Sequence, residues 1–495
     1  MNNSMFGLIY TGEANAQLRE LTFSRSVAAV PFGGRYRAID FMLSDIVNTG
    51  ISNVGIITQR NYHSLMDHLG SGKEWDLHRK RDGLFILPPF VTRDNTGVYR
   101  GTVDAIRSVM GYIRRSAQKY VILTGSHTLY NTTYDKMLRQ HIETGADITI
   151  MYNEEHEFNR AEQYDDLRLT INENGRITDL ALNPYMPDSP FMGCDAYIME
   201  KTLLEYLVED AAAHGEFDFM QDVLIKNVNK YRFCGWKYNG YVARLNSVDA
   251  FYKHNLALLQ PAVQQDLFNS AHPIYTKVKD EVPANYCGSG SARNSVIADG
   301  CIIEGEVENS VLFRGVHVGK GAKVKNCILM QATYIGDNSE LSYMVLDKGV
   351  IVLNGRRLSE GLTFENSKGA YFGTGDRLTV CMATEPVWVN DDREYYLPEG
   401  TYTVRPNFSY DTTEALEPGI SAGAFGYSHP TFPNGTWYVR IEDDAYPGDQ
   451  AAITEGTMTV SRTGEEYVIT FEFVSDAGFA VTGTYEGALD LYPDA

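Results

Sequence analysis

At 495 residues the chain is too long for one ordinary core, so two to four domains are expected. Its 43% apolar and 22% charged content is that of a soluble globular protein, and a net charge of −21 argues against a nucleic-acid backbone as partner. No run of eighteen apolar residues is present, the N-terminus lacks the basic-then-apolar pattern of a secretory signal, and six cysteines without C-x-x-C or paired spacing suit free thiols in a cytoplasmic setting.

The chain opens on an apolar strand pattern, Gly7 to Tyr10, followed by a loop from Thr11 to Thr22 and a helical pattern starting near Arg37. Strand, loop and helix is where α/β proteins hold nucleotides, because backbone N–H groups and a helix N-terminus converge there on phosphate. The loop has one glycine, Gly12, where a phosphate cradle wants several, and Glu13 adds a negative charge. The architecture of a nucleotide site is legible, and its chemistry is altered. Residues 37–50 carry apolar side chains at helical spacing and stop at Gly50, and Val54 to Ile57 is a short buried strand. A helix is expected over 102–116, a strand over 120–124, a helix over 134–144 and a strand over 147–151. This alternation predicts a parallel sheet covered on both faces, a Rossmann-like α/β domain over residues 1–260. Residues 261–290 show no sustained period and are rich in turn formers, which suits a connecting segment.

The period then changes. Leu312, Val318 and Val324 are six apart, as are Leu329, Ile335 and Leu341, and Leu346 and Val352. Glycines such as Gly300, Gly305, Gly315 and Gly321 punctuate the gaps. An aliphatic residue at every sixth position is the pattern of a hexapeptide β-helix, expected here to span 291–358. A linker over 359–375 follows. Residues 371–495 then hold five arginines, no lysine and 21 acids, a net of −16 that marks a boundary. Alternating patterns such as Thr457 to Phe473, with a turn at Arg462-Thr-Gly-Glu, predict an all-β sandwich or barrel over 376–495.

Several separated segments agree in order with one family. The stretches 31–51, 55–59 (GIITQ), 101–106 (GTVDAI), 121–127 (VILTGSH) and 307–326 resemble bacterial glucose-1-phosphate adenylyltransferase, over about residues 5–360. The resemblance implies a nucleotidyltransferase domain, a left-handed β-helix and a tetramer that makes ADP-glucose and pyrophosphate from ATP and glucose 1-phosphate, for glycogen synthesis. Transfer of this kind is positioning plus charge neutralisation by Mg²⁺, lysine and arginine. At the positions where the resemblance implies those groups, this chain has Gln17 for the loop arginine, Val27 for a lysine and Asn183 for the sugar-phosphate lysine. Ser126 and Arg244 stand where the two metal-binding aspartates are implied. Gly12, Gln59, Gly101 and Thr102 match substrate contacts, with turn and helix-capping chemistry as the alternative reading of the last three. Arg25, Arg35 and Arg37 lie where the family binds anionic effectors, or else form a solvated basic face. The same pattern resembles the D-type subunit of that enzyme. It implies a regulatory subunit in a cytoplasmic heterotetramer with a catalytic partner, which alone uses Mg²⁺; no cofactor, metal, nucleic acid or membrane is expected for this chain. A phosphorylated sugar or nucleotide ligand, held with Arg244 as counter-charge, is a further expectation. Two alternatives stay open: an active transferase with a rebuilt site using Glu13 and Arg244, and a scaffold whose β-domain binds carbohydrate through aromatics such as Trp388, Tyr396, Trp437 and Tyr438.

Overall fold

A computed structural model describes residues 4–12, 16–89, 99–155, 166–185 and 189–359, then the strands Thr363–Phe364, Tyr371–Thr374, Asp376–Thr379, Gly400–Val404, Tyr438–Arg440, Gln450–Thr463, Glu466–Ser475 and Ala480–Ala488. The first part is organised on a nine-stranded sheet. Its strands in chain order are β1 (Met5–Tyr10), β2 (Asn53–Ile57), β3 (Gly83–Leu87), β4 (Tyr120–Thr124), β5 (Ile148–Glu154), β6 (Leu167–Ile171), β7 (Ile177–Leu182), β8 (Phe191–Glu200) and β9 (Phe233–Lys237). They lie in the order β7-β6-β8-β4-β1-β2-β3, with β5 also paired to β8 and β9 to β5. Strands β4, β1, β2 and β3 are parallel. Strand β8, however, runs antiparallel to β4, β5 and β6. The sheet is thus mixed rather than parallel throughout. Three strands follow one another from 167 to 200 with no helix among the described residues between them, and without a crossover helix neighbouring strands reverse direction.

The helices are α1 (Ala38–Asn48), α2 (His63–Leu69), α3 (Thr102–Ser108), α4 (Met110–Arg115), α5 (Asp135–Thr144), α6 (Lys201–Ala213), α7 (Val248–Ala257) and α8 (Pro261–Leu267). The single helix expected over 102–116 is broken at Val109, whose φ of −101° and ψ of 14° leave the helical region. Helix α8 sits in the stretch expected to be a connecting segment, with proline in its first turn, where a missing N–H is harmless. Strand β1 is buried on both faces and divides two cores. Met5 and Ile9 pack with α1 and α7, while Phe6, Leu8 and Tyr10 pack with α3 and α6, as alternation along a strand requires.

From Asn285 the chain coils into three five-stranded parallel sheets. The hexapeptide aliphatics point inward in columns. Ile303, Val318, Ile335 and Val352 form one, Val307, Val324 and Leu341 a second, and Leu312, Leu329 and Leu346 a third. Gly305 is required by close approach, since a Cβ there would lie 2.3 Å from the Ala322 carbonyl oxygen of the next rung. The outward residues Val311, Ile328 and Val345 of the third sheet are buried in the same core as Phe41 and Phe251. The coil therefore docks on the first domain by that face, and Tyr252 of α7 donates to the Asn326 carbonyl at 2.7 Å.

Beyond residue 400 the described strands pair antiparallel, Gly400–Val404 with Gln450–Thr463, then Glu466–Ser475, then Ala480–Ala488. The hairpin reverses between Thr463 and Glu466, at the expected turn. Trp388, Tyr396, Trp437 and Glu13 lie outside the described residues. Among those described, no helix is long and apolar enough to cross a membrane.

Candidate functional site

The parallel strands deliver the site. The C-terminal ends of β1, β2 and β4 and the start of α3 face one cleft of about 280 Å³, as expected where parallel strands end. Gly12, Gln59, Gly101 and Thr102, four residues singled out in the sequence, all line it. Gln59 is held in place: its Nε2 donates to the Tyr99 carbonyl at 3.1 Å, and Tyr10 donates to its Oε1 at 3.4 Å. Gly101 has a backbone reason to be glycine. A Cβ there would lie 2.3 Å from the Phe217 carbonyl oxygen, which also accepts the Val103 N–H at 2.9 Å.

The positions of the implied catalytic charges are occupied as follows. Gln17 lies in the 3₁₀-helix Ala16–Thr22. Val27 is buried in the hydrophobic core beside α1. Asn183, in a left-handed conformation at φ 48°, pairs with Asp166 at the open end of the β6–β7 hairpin: its Oδ1 accepts the Asp166 N–H at 2.9 Å and its own N–H returns to the Asp166 carbonyl at 2.8 Å. Ser126 is fully buried at the end of β4. Arg244 pairs across a two-residue bridge with Thr128, and Leu245 donates to the His127 carbonyl at 2.7 Å, so positions 126 and 244 lie on neighbouring segments. The Arg244 guanidinium turns toward β5 and β8 rather than lining the cleft. It donates to Asn153 Oδ1 at 2.6 Å and the Gly193 carbonyl at 3.2 Å, and meets the Glu155 carboxylate at 3.3 Å. That engagement removes the basis for using Arg244 as the counter-charge of a phosphorylated ligand. Cys194 lies against it, and burial pushes that thiol up to about 12 despite the nearby guanidinium.

Sequence reasoning missed the carboxylates of the cleft. Asp195 sits at φ 52° within an irregularity of the β8–β5 pairing, between Gly193 and Tyr197, and its Oδ2 lies 3.7 Å from His127 Nδ1. The signal was faint: an aspartate, one of the few residue types that tolerate the left-handed region, interrupting a strand. Asp218 also lines the cleft and accepts the Gln221 N–H at 2.7 Å. Among the described lining residues the cation is Arg100, which is paired with Asp104 at 3.0 Å and stacked 3.9 Å above Phe217. At the two positions where the resemblance implies metal-binding aspartates stand a buried hydroxyl and a committed guanidinium, while Asp195 and Asp218 are the carboxylates that line the same cleft.

A second cavity opens between the first domain and the coil. It is small, about 40 Å³, and is lined by six cations, Arg35, Arg37, Lys277, Lys279, Arg314 and Lys348. Two of the three arginines expected at an effector site, Arg35 and Arg37, are there. Arg25 stands behind the wall, bound to both oxygens of Asp347 at 2.9 and 2.7 Å. His68 faces the cavity with its Nε2 2.5 Å from Asp40 Oδ1. Lysines 277 and 279 come from the expected connecting segment and Lys348 from the coil, so only the fold brings them to Arg35.

A mixed sheet with a nucleotide-type cleft at its strand ends, joined to a hexapeptide coil, defines a nucleotidyltransferase-like protein. The nucleotidyl transferase family model matches residues 6–237, and the GlmU-like C-terminal hexapeptide model matches 282–375. "Glycogen biosynthesis protein GlgD" of Bacillus subtilis (strain 168) is 40% identical over 327 residues, 66% of this chain and 83% of its own length. The protein of that name from Geobacillus stearothermophilus is 40% identical over 324 residues, 66% of this chain and 84% of its own. Glucose-1-phosphate adenylyltransferase of Acetivibrio thermocellus is 33% identical over 367 residues, 73% and 85% of the two chains. The chain belongs to the family of the glycogen biosynthesis protein GlgD and glucose-1-phosphate adenylyltransferase.

Proposed function

We propose that this chain is a regulatory, catalytically impaired subunit that assembles with a catalytic glucose-1-phosphate adenylyltransferase in glycogen biosynthesis. One observation carries the reading: where two acids would grip Mg²⁺ stand the buried hydroxyl of Ser126 and the Arg244 guanidinium, the latter tied to Asn153 and Glu155. A polyphosphate entering the cleft meets Asp195 and Asp218 and an arginine already paired. Losing one preorganised charge contact costs roughly 10²–10³ in rate, and several are replaced here. A rebuilt active site using Arg244 is disfavoured by that side chain's engagement.

In this reading residues 1–260 form the nucleotidyltransferase-like unit, 291–358 a coil of left-handed sense, and 376–495 a separate all-β unit, joined through 261–290 and 359–375. The setting is cytoplasmic and the assembly a heterotetramer. The six-cation cavity is the regulatory site, an effector pocket for a phosphorylated small molecule, since clustered arginines suit phosphate oxygens. The test is to titrate the chain into its catalytic homologue and measure the sugar-phosphate concentration giving half-maximal activation. A shift of several-fold is expected, lost in Arg35→Ala/Arg314→Ala; an unchanged response with the wild-type chain overturns the reading.

A further inference from the structure

Six cations surround the interdomain cavity, and no carboxylate lines it among the described residues. Of the nearby acids, Asp347 pairs with Arg25, Asp40 with His68, and Asp67 with Lys277 at 3.4 Å, while Asp299 and Glu281 face Arg314 from outside the cavity lining. Arg314 is buried with its Nε lacking a hydrogen-bond acceptor, a donor waiting at the wall. Lys348 enters from the coil, and its backbone N–H donates to Asp347 Oδ1 at 2.7 Å, beside the carboxylate that Arg25 neutralises. Its ammonium thus meets Arg25, Arg37 and Lys279 with one shared counter-ion, while Arg35, Arg314, Lys277, His68 and Tyr36 complete the walls.

We propose that an oxyanion enters this pocket together with a proton, taken from solvent and held on Lys348 Nζ. The proposal rests on the effector-pocket reading and adds its regulation: the site responds to pH as well as to ligand. In the free pocket, burial first and then Arg37 and Arg25 pull the Lys348 ammonium down to about 7, so the amine is half neutral near neutrality. A bound anion supplies the missing counter-charge and restores the ammonium. Below pH 7 the lysine carries its proton in both states and binding is insensitive to pH. Above pH 7 each bound anion must draw a proton from solvent, and affinity falls by up to about tenfold per pH unit.

Sulfate is the probe, because it stays a dianion throughout the range whereas phosphate itself titrates. Calorimetry on the full chain at constant ionic strength, in buffers of different ionisation heat, reads both affinity and proton uptake. Sulfate is expected to bind about tenfold more weakly at pH 8 than at pH 6, with uptake rising from about 0.1 to about 0.9 proton per anion. Lys348→Arg, charged at both pH values, is expected to bind as tightly at pH 8 as at pH 6, and Lys348→Met to bind weakly at both. Equal wild-type affinity at the two pH values overturns this proposal and leaves the effector pocket standing. A pH dependence that survives in Lys348→Arg places the proton on another group and overturns it too. Absence of sulfate binding at every pH overturns both readings.

Discussion

Asp45 of α1 is fully buried; its Oδ1 accepts the Thr132 N–H at 3.0 Å, and its Oδ2 has no partner. Burial raises its pKa well above the usual carboxylate range, only partly offset by that backbone hydrogen bond. The folded state therefore keeps a proton that the unfolded chain releases above about pH 4. Stability falls as pH rises from there toward the folded-state value, by roughly 1.4 kcal/mol per pH unit. Asp45→Asn keeps the acceptor and removes the titration. Urea unfolding at pH 5 and pH 8 is expected to show a smaller loss with rising pH in the variant than in wild type. Gly101 gives a second residue-scale prediction. Gly101→Ala drives a methyl onto the Phe217 carbonyl and is expected to cost about 1–3 kcal/mol, measured by the same unfolding. Of the residues that line the cleft, Gly12 was read from the strand-to-loop pattern, and Gln59, Gly101 and Thr102 came only from the family resemblance. Asp195 was not legible, because an irregularity in strand pairing leaves little trace in a single sequence.

Among the elements, the coil was the most legible, since each rung stacks only on its neighbours and its pattern is local. Strand order and direction in the first sheet were less so. The apolar run of β8 suits a parallel or an antiparallel neighbour equally, and only the missing crossover helices decide. The inward columns make each rung depend on the next. Leu329→Ala is expected to destabilise the protein by roughly 2–5 kcal/mol, read by thermal unfolding, because Leu312 and Leu346 cannot close over the gap. The joint between coil and domain is held by the outward Val311, Ile328 and Val345 and by the Arg25–Asp347 pair, whose side chains are 8% and 21% exposed. Arg25→Met leaves Asp347 without its partner and is expected to cost about 3 kcal/mol, with protease cleavage between the domains increased.

At the scale of the whole molecule, two cavities differ in their linings. The cleft at the strand ends keeps the fold's outline, with Ser126 and Val27 absorbed into the core, Asn183 into a strand end, and Arg244 turned to the sheet. The cavity between domain and coil concentrates positive charge drawn from positions 35 to 348, which no local motif announces. The most direct measurement is pyrophosphate release from ATP and glucose 1-phosphate with Mg²⁺, by the purified chain alone. The account predicts a rate at least about a thousandfold below that of the catalytic homologue. Mg²⁺-dependent turnover by the isolated chain within tenfold of that homologue contradicts it.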